Sequence, residues 1–475
     1  MHTPSSAPVP RSVLRAELRL GYLWTIALVA ALGGLLFGYD WVVIGGAKPF
    51  YEVYFHLTSE ALIGWANSCA LLGCFAGSIL AGSASDRLGR KIILIFCALL
   101  FAISSVLTGW AHAFAAFILW RILGGVAIGL ASNVSPMYIA EISPAEWRGR
   151  LVSLNQLAIV VGILAAQLAN WRIADKIPSD LHGQVLASSW NAQYGWRWMF
   201  TAVAVPAILF LCSAPFIPES PRWLAARQKG QAAFVVLRRI GGDRYAQAEM
   251  GAIQTSLTAP HERAGWLELL TLPGRKLLAI GAVLAVLQQW SGINILFNYA
   301  QEIYRSAGYG VSEILFNIVI TGTINLIFTI VAMALVDRFG RRRLMIFGCI
   351  AIGVSHLAAS LAYRAHMHGT WVLVLTLCAI ASYAMSLAPV TWVLITEIFP
   401  NRIRASAVSV SVATLWVASF VLTYTFPLLN QSLGTSGTFF VYAGICFAGA
   451  AFVSLAVRET KGRSLEMLEQ TSTRP

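Results

Sequence analysis

The chain has 475 residues, of which 57% are hydrophobic and only 12% charged, about half the charged share of a soluble protein. Water offers no way to hide that much apolar surface, so a soluble enzyme is excluded, and disordered chains are too poor in hydrophobes to match. The net charge of +13 would suit a nucleic-acid binder, but its distribution along the chain assigns it another role.

The apolar mass falls in runs of roughly 18–25 residues, the length that crosses a bilayer as a helix. Weak alternation over about ten residues, the mark of a transmembrane barrel, is missing. The fold class is therefore an all-α membrane protein whose first partner is the lipid bilayer. Residues 1–20 are polar and carry Arg11, Arg15 and Arg19. The apolar run that follows exceeds a signal peptide in length and contains Gly38-Tyr39-Asp40, so it reads as a retained first span. Twelve spans are predicted, at 21–45, 59–83, 91–112, 114–140, 150–171, 198–217, 276–306, 313–337, 343–365, 370–397, 404–430 and 436–457. The one long polar stretch, 218–275, separates two groups of six. The expected domains are an N-terminal segment 1–20, a six-helix bundle 21–217, a linker with short helices 218–275, a second bundle 276–457 and a tail 458–475.

Twelve spans put both termini on one side. That side then carries 27 of the 34 Lys/Arg, against six on the other, with Arg121 inside a span. The imbalance follows the positive-inside rule, so termini and linker are expected to be cytoplasmic, and no nucleic-acid partner is implied. The seven Cys all sit inside apolar runs, without ligand spacing. They read as small buried hydrophobes, and no metal or other cofactor is expected.

The two halves repeat. Asp86-Arg87-Leu88-Gly89-Arg90-Lys91 recurs as Asp337-Arg338-Phe339-Gly340-Arg341-Arg342, 251 positions later. Glu141-Ile142-Ser143-Pro144, with Arg148 beyond, recurs as Glu397-Ile398-Phe399-Pro400 with Arg404. Pro218-Glu219-Ser220 echoes Arg458-Glu459-Thr460. Three matches in register mean one fold used twice, the pattern of alternating-access transporters with substrate held between the halves. Asp86 and Asp337 are placed to cap the helices after them. Arg87, Arg90, Arg338 and Arg341 can reach Glu141 and Glu397, with Arg148, Glu219, Arg222 and Arg404 alongside, as a salt-bridge latch on the cytoplasmic side. Topology anchoring by the arginines alone is the plainer alternative.

Asp40 and Arg121 are the two groups of certain charge deep in spans. Each costs about 2.5–3.5 kcal/mol at a helix centre. They read either as a proton-coupling pair or as a buried pair that only fixes packing. A low dielectric favours a neutral acid and a nearby guanidinium favours a carboxylate, so a pair whose separation changes takes up and releases a proton. His356, in the ninth span, reads as a hydrogen-bonded structural histidine.

Neutral amides gather on a few spans: Gln156, the run Gln288-Gln289-Trp290-Ser291-Gly292-Ile293-Asn294, Asn298 and Asn325, with Trp392 and Trp416 nearby in sequence. Amides donate to and accept from hydroxyls, and indoles stack on C–H faces. The set suits a neutral polyhydroxylated ligand, though amides also glue membrane helices together. Gly292 and Pro389 mark bends. No nucleophile–base pair or nucleotide loop is present, so an enzyme is not expected.

Together these motifs resemble the sugar porter family of the major facilitator superfamily over roughly 21–465. The pattern is nearest to the bacterial xylose–proton symporters of that family. The resemblance implies twelve helices in two pseudo-symmetric bundles, a monomer, and a monosaccharide bound by Gln156, Gln288, Gln289, Asn294, Asn325 and Trp392. It implies Asp40 as proton acceptor with Arg121 as partner, since facilitators tend to carry Asn there. Proton-driven symport at a bacterial inner membrane is the reading; a passive facilitator and a transporter-like sensor are the alternatives. The site departs from relatives at Leu415, where a Gln or Asn is usual, at Asn298 for a common Tyr, at Leu387-Ala388, and at Ile163 for Gln.

Overall fold

The computed structural model describes residues 18–176, 184–258, 272–367, 369–399, 403–457 and 459. Its elements are helices. Five continuous spans open the chain: α1 Leu20–Tyr54, α2 Glu60–Leu88, α3 Arg90–Gly109, α4 Phe114–Ile142 and α5 Arg148–Ile173. The sixth, α6 Asn191–Phe216, is a relay of short helical pieces that begins in a π-turn. The linker holds α7 Pro221–Ala226 and α8 Gly230–Thr258. The second half follows as α9 Leu272–Trp290, α10 Ile293–Asn298, α11 Ala300–Ser306, α12 Val311–Phe339, α13 Arg341–Arg364, α14 Thr370–Met385, α15 Leu387–Glu397 and α16 Arg404–Ala456.

Among the described residues, eleven stretches are long and apolar enough to cross a membrane. The last, α16, contains Gly434 at φ 69°, outside the helical range. That break divides α16 into two crossings, which makes twelve. The protein is a polytopic membrane protein of two six-helix bundles. In the first, α2 packs on α4 and α1 on α5; in the second, α13 and α9 pack on α16 and α12 on α14. Glycines on facing sides set the closest spacing: a side chain at Gly73 or Gly125 would strike the backbone of the partner helix, the small-residue packing expected in lipid. The bundles meet along α2–α16, α5–α12 and α1 against α10 and α11.

Three elements differ from the predicted spans. Helix α1 runs nine residues beyond the predicted end at 45, to Tyr54, and carries Pro49 inside it. Lys48, three residues past that predicted end, is consequently in the helix and only 2% exposed. The seventh span is three helices, broken at Gly292 (φ 81°) and at Tyr299. The tenth breaks at Ser386 (φ −129°, ψ −84°), three residues before Pro389. Pro389 lacks the N–H that would bond residue 385 and its ring crowds that carbonyl, so the helix stops one turn ahead of it.

Candidate functional site

On the face that carries the linker, the two halves are built alike. Gly89 and Gly340 turn the chain at φ 99° and 88°, a region that favours glycine. A Cβ at either would collide with a carboxylate, Glu219 or Glu459. Glu219 accepts from the backbone N–H groups of Arg90 (3.0 Å) and Lys91 (3.2 Å), and Glu459 from that of Arg341 (3.0 Å). Each glutamate thus satisfies orphan donors at a helix N-terminus and its charge suits the positive end of the dipole.

The capping expectation is corrected here. Asp86 does not cap α3; it pairs with Arg90 at 3.0 Å, and the cap comes from Glu219, 129 positions later. The side chain of Asp337 lies outside the described residues. Arg90 also makes a two-point contact with Glu141, at 3.0 and 3.1 Å, and Arg341 meets Glu397 at 3.6 Å. Arg148 donates to the carbonyl of Ala140 and Arg404 to that of Phe399. Arg87 and Arg222 are exposed. Trp223 and Arg227 donate to the carbonyl of Asp86, which ties α7 to the α2–α3 turn. The bridges Arg90–Glu141, Arg90–Asp86 and Arg341–Glu397 each lie inside one bundle. These three bridges tie helices together within each half.

Deep in the first bundle, Asp40 of α1 and Arg121 of α4 form a buried ion pair. Arg121 Nη1 lies 3.0 Å from both carboxylate oxygens. The residues are 4% and 3% exposed. Arg121 also sits over the Phe200 ring, while its Nε is buried without a partner. A small cavity, about the size of one water, touches Arg121, Trp41, Asn67 and Asn298. It places the pair one side chain away from the second bundle.

In that second bundle the amides form a chain. Gln288 Nε2 donates to Tyr383 Oη at 3.0 Å, Gln289 Nε2 to Gln288 Oε1 at 2.5 Å, and Asn294 Nδ2 to Gln289 Oε1. Gly292 makes this possible: its left-handed turn brings Asn294 back toward Gln289 five residues earlier. His356 holds the same turn through Ser291 O at 2.8 Å. Trp416 is 1% exposed and packs its ring at 5.9 Å from Phe37 and 6.0 Å from Trp41 of α1. Its indole Nε1 and Asn298 Oδ1 are buried with no hydrogen-bond partner, a state buried polar atoms rarely keep without a ligand or water. Trp392 packs against the same apolar cluster as Trp416 and Leu415.

The amide chain therefore unites Gln288, Gln289 and Asn294, and Trp416 with Trp392 flanks the bundle interface. Gln156 on α5 and Asn325 on α12 are half-buried and buried, and neither joins the amide chain. Sequence reasoning missed Tyr383, Asn67 and Gln167. Gln167 is 1% exposed with both amide ends unpartnered. A helical projection of α5 would have flagged it, because it lies one turn beyond Ile163 on the same face.

Two bundles closing around buried amides and a buried ion pair define a secondary transporter fold. Residues 26–471 match the family model described as "Sugar (and other) transporter". The chain belongs to this family of sugar transporters. It is 36% identical to the D-xylose-proton symporter of Escherichia coli K12 over 96% of this chain and 97% of that one. It is 35% identical to the arabinose-proton symporter of Bacillus subtilis, over 99% of each, and 38% identical to the glucose transport protein of Synechocystis, over 98% and 100%. The partially occluded inward-open structure of the xylose transporter XylE from E. coli superposes with a TM-score of 0.82 at 35% identity, covering 94% of this chain and 100% of that one.

Proposed function

We propose that the protein is a proton-coupled symporter of a monosaccharide, pentose or hexose, that works by alternating access. It sits in a bacterial inner membrane as a monomer with both termini cytoplasmic, as the 27-to-6 division of Lys and Arg supports. Asp40 takes the proton and Arg121 governs its release. Gln288, Gln289, Asn294 and Trp416 hold the sugar, with Gln156, Asn325 and Trp392 joining as the bundles close.

The observation that carries this reading is the Asp40–Arg121 pair at 3.0 Å, buried in the first bundle and linked by one cavity to Asn298 of the second. In this arrangement Arg121 compensates the buried charge of Asp40, and a bundle motion that separates the two leaves that charge without its partner in a membrane interior. Coupling of one proton to each transport cycle follows from that change of distance. The names of two relatives, xylose–proton and arabinose–proton symporters, support both the coupling and the substrate class. The test is uptake of labelled D-xylose, L-arabinose, D-glucose and myo-inositol into proteoliposomes, with and without an inward proton gradient. Accumulation above equilibrium with the gradient is expected for at least one sugar. Equilibration indifferent to the gradient would make the protein a passive facilitator.

A further inference from the structure

Lys48 stands apart from the machinery described so far. It lies two turns beyond Asp40 on α1, about 12 Å along the helix. Its side chain is 2% exposed. Two carboxylates face it: Glu52 of the same helix at 2.9 Å, and Glu302 of α11 in the other bundle. The ammonium also lies 5.1 Å from the centre of the Tyr299 ring, in the break between α10 and α11. Tyr299 is itself buried and donates to the carbonyl of Thr423 at 2.7 Å.

The backbone is shaped for this contact. A Cβ at Gly45 would press on the carbonyl of Phe297, so α1 and α10 touch main chain to main chain one turn before Lys48. Burying a lysine is costly unless it is paired. Here one partner, Glu52, comes from the same helix and the other, Glu302, from across the bundle interface, on the face opposite the linker. The two short helices it holds are the continuation of the segment that carries Asn294 and Asn298.

We propose that Lys48 is the positioning residue that links the two sites. Resting on the symport reading above, it clamps α10–α11 onto α1, so that closure over the sugar and the state of Asp40 are reported through one helix. Opening on the outer face must separate Lys48 from Glu302. Closing must reunite them, and this happens only when α10 and α11 have folded down.

The test uses full-length protein in right-side-out vesicles, with Gln301→Cys on α11 as reporter and a membrane-impermeant maleimide outside. Labelling of the protein without this cysteine is subtracted. In the otherwise native background the reporter, 9% exposed, reacts slowly. Lys48→Met and, independently, Glu302→Gln are expected to raise the rate about tenfold, the effect of a shift of about 1.4 kcal/mol in the closed–open balance. Lys48→Arg keeps it slow, and the reversed pair Lys48→Glu with Glu302→Lys restores it. In parallel, Lys48→Met without the reporter should lower the gradient-driven accumulation ratio of labelled D-xylose, L-arabinose or D-glucose more than it lowers equilibrium exchange of the same sugar. An unchanged labelling rate in both single variants overturns the clamp. Faster labelling with undiminished accumulation overturns the link to Asp40. Failure of the unmodified protein to accumulate any sugar would refute the symport reading instead, while the labelling rates would still decide the clamp.

Discussion

Asp40→Asn separates proton coupling from structure. Arg121 contacts both oxygens of Asp40 at 3.0 Å inside the first bundle. Breaking a buried pair from one side costs about 3–5 kcal/mol, because a charge is left uncompensated. Asn keeps one acceptor for the guanidinium, worth about 1 kcal/mol, so the net loss of stability should be about 2–4 kcal/mol. Adding Arg121→Gln removes the stranded charge and should recover much of that loss. Transport behaves differently. An inward gradient of about two pH units stores about 2.7 kcal/mol per proton, enough for about hundredfold accumulation at one proton per sugar. Neither the single nor the double variant can draw on it, so both should equilibrate sugar at a ratio near one while still exchanging it. The assay is steady-state uptake in proteoliposomes beside thermal unfolding in detergent. Accumulation by Asp40→Asn at the unmodified level would refute the coupling role, whatever the stability.

Other substitutions address the remaining parts. Gln288→Ala breaks the amide chain at its Tyr383 end and should weaken sugar binding several-fold, at about 1 kcal/mol per hydrogen bond; unchanged affinity by equilibrium dialysis would remove the chain from the site. Leu415→Gln restores an amide beside Trp416 and should raise affinity or change the preferred sugar in a competition panel. Gly292→Ala forces a side chain into φ 81° against His356 and Tyr442, so transport should collapse and melting temperature fall, whereas Gly82→Ala, with open space around it, should leave both unaltered. Glu219→Ala strands the N–H groups of Arg90 and Lys91 and should cost about 1–3 kcal/mol in thermal unfolding; a stability loss confined to the second half would count against the assignment.

Much of this was legible in the chain because membrane helices announce themselves by length and hydropathy. The spans, the twofold repeat and the pairing of Asp40 with Arg121 needed no coordinates, since charges in lipid must find each other. The donors and acceptors of the linker-side network were visible too, but not their assignment. Asp86 looked like the cap because it is adjacent, and Glu219 took that role because Gly89 opens a path for it. Local reasoning favours near neighbours, and here tertiary packing supplied the cap from 129 positions away. Lys48 was misplaced for a related reason. The predicted first span stops at 45, whereas pairing of Lys48 with Glu52 and Glu302 accompanies a helix that runs on to Tyr54. The amide chain through Tyr383 depended on the turn at Gly292, which composition marks as a bend but does not aim.

The two closing glutamates also bear on how the chain is made. Each bundle is stapled by an acid that arrives at its very end: Glu219 follows Arg90 by 129 positions, and Glu459 follows Arg341 by 118. A ribosome therefore delivers the fastening of the first half before the first residue of α9 has been synthesised, and the fastening of the second half only after α16 is complete. Each half carries its own final stitch. Two separate polypeptides, divided after α8, would each still own the residue that finishes its tuck.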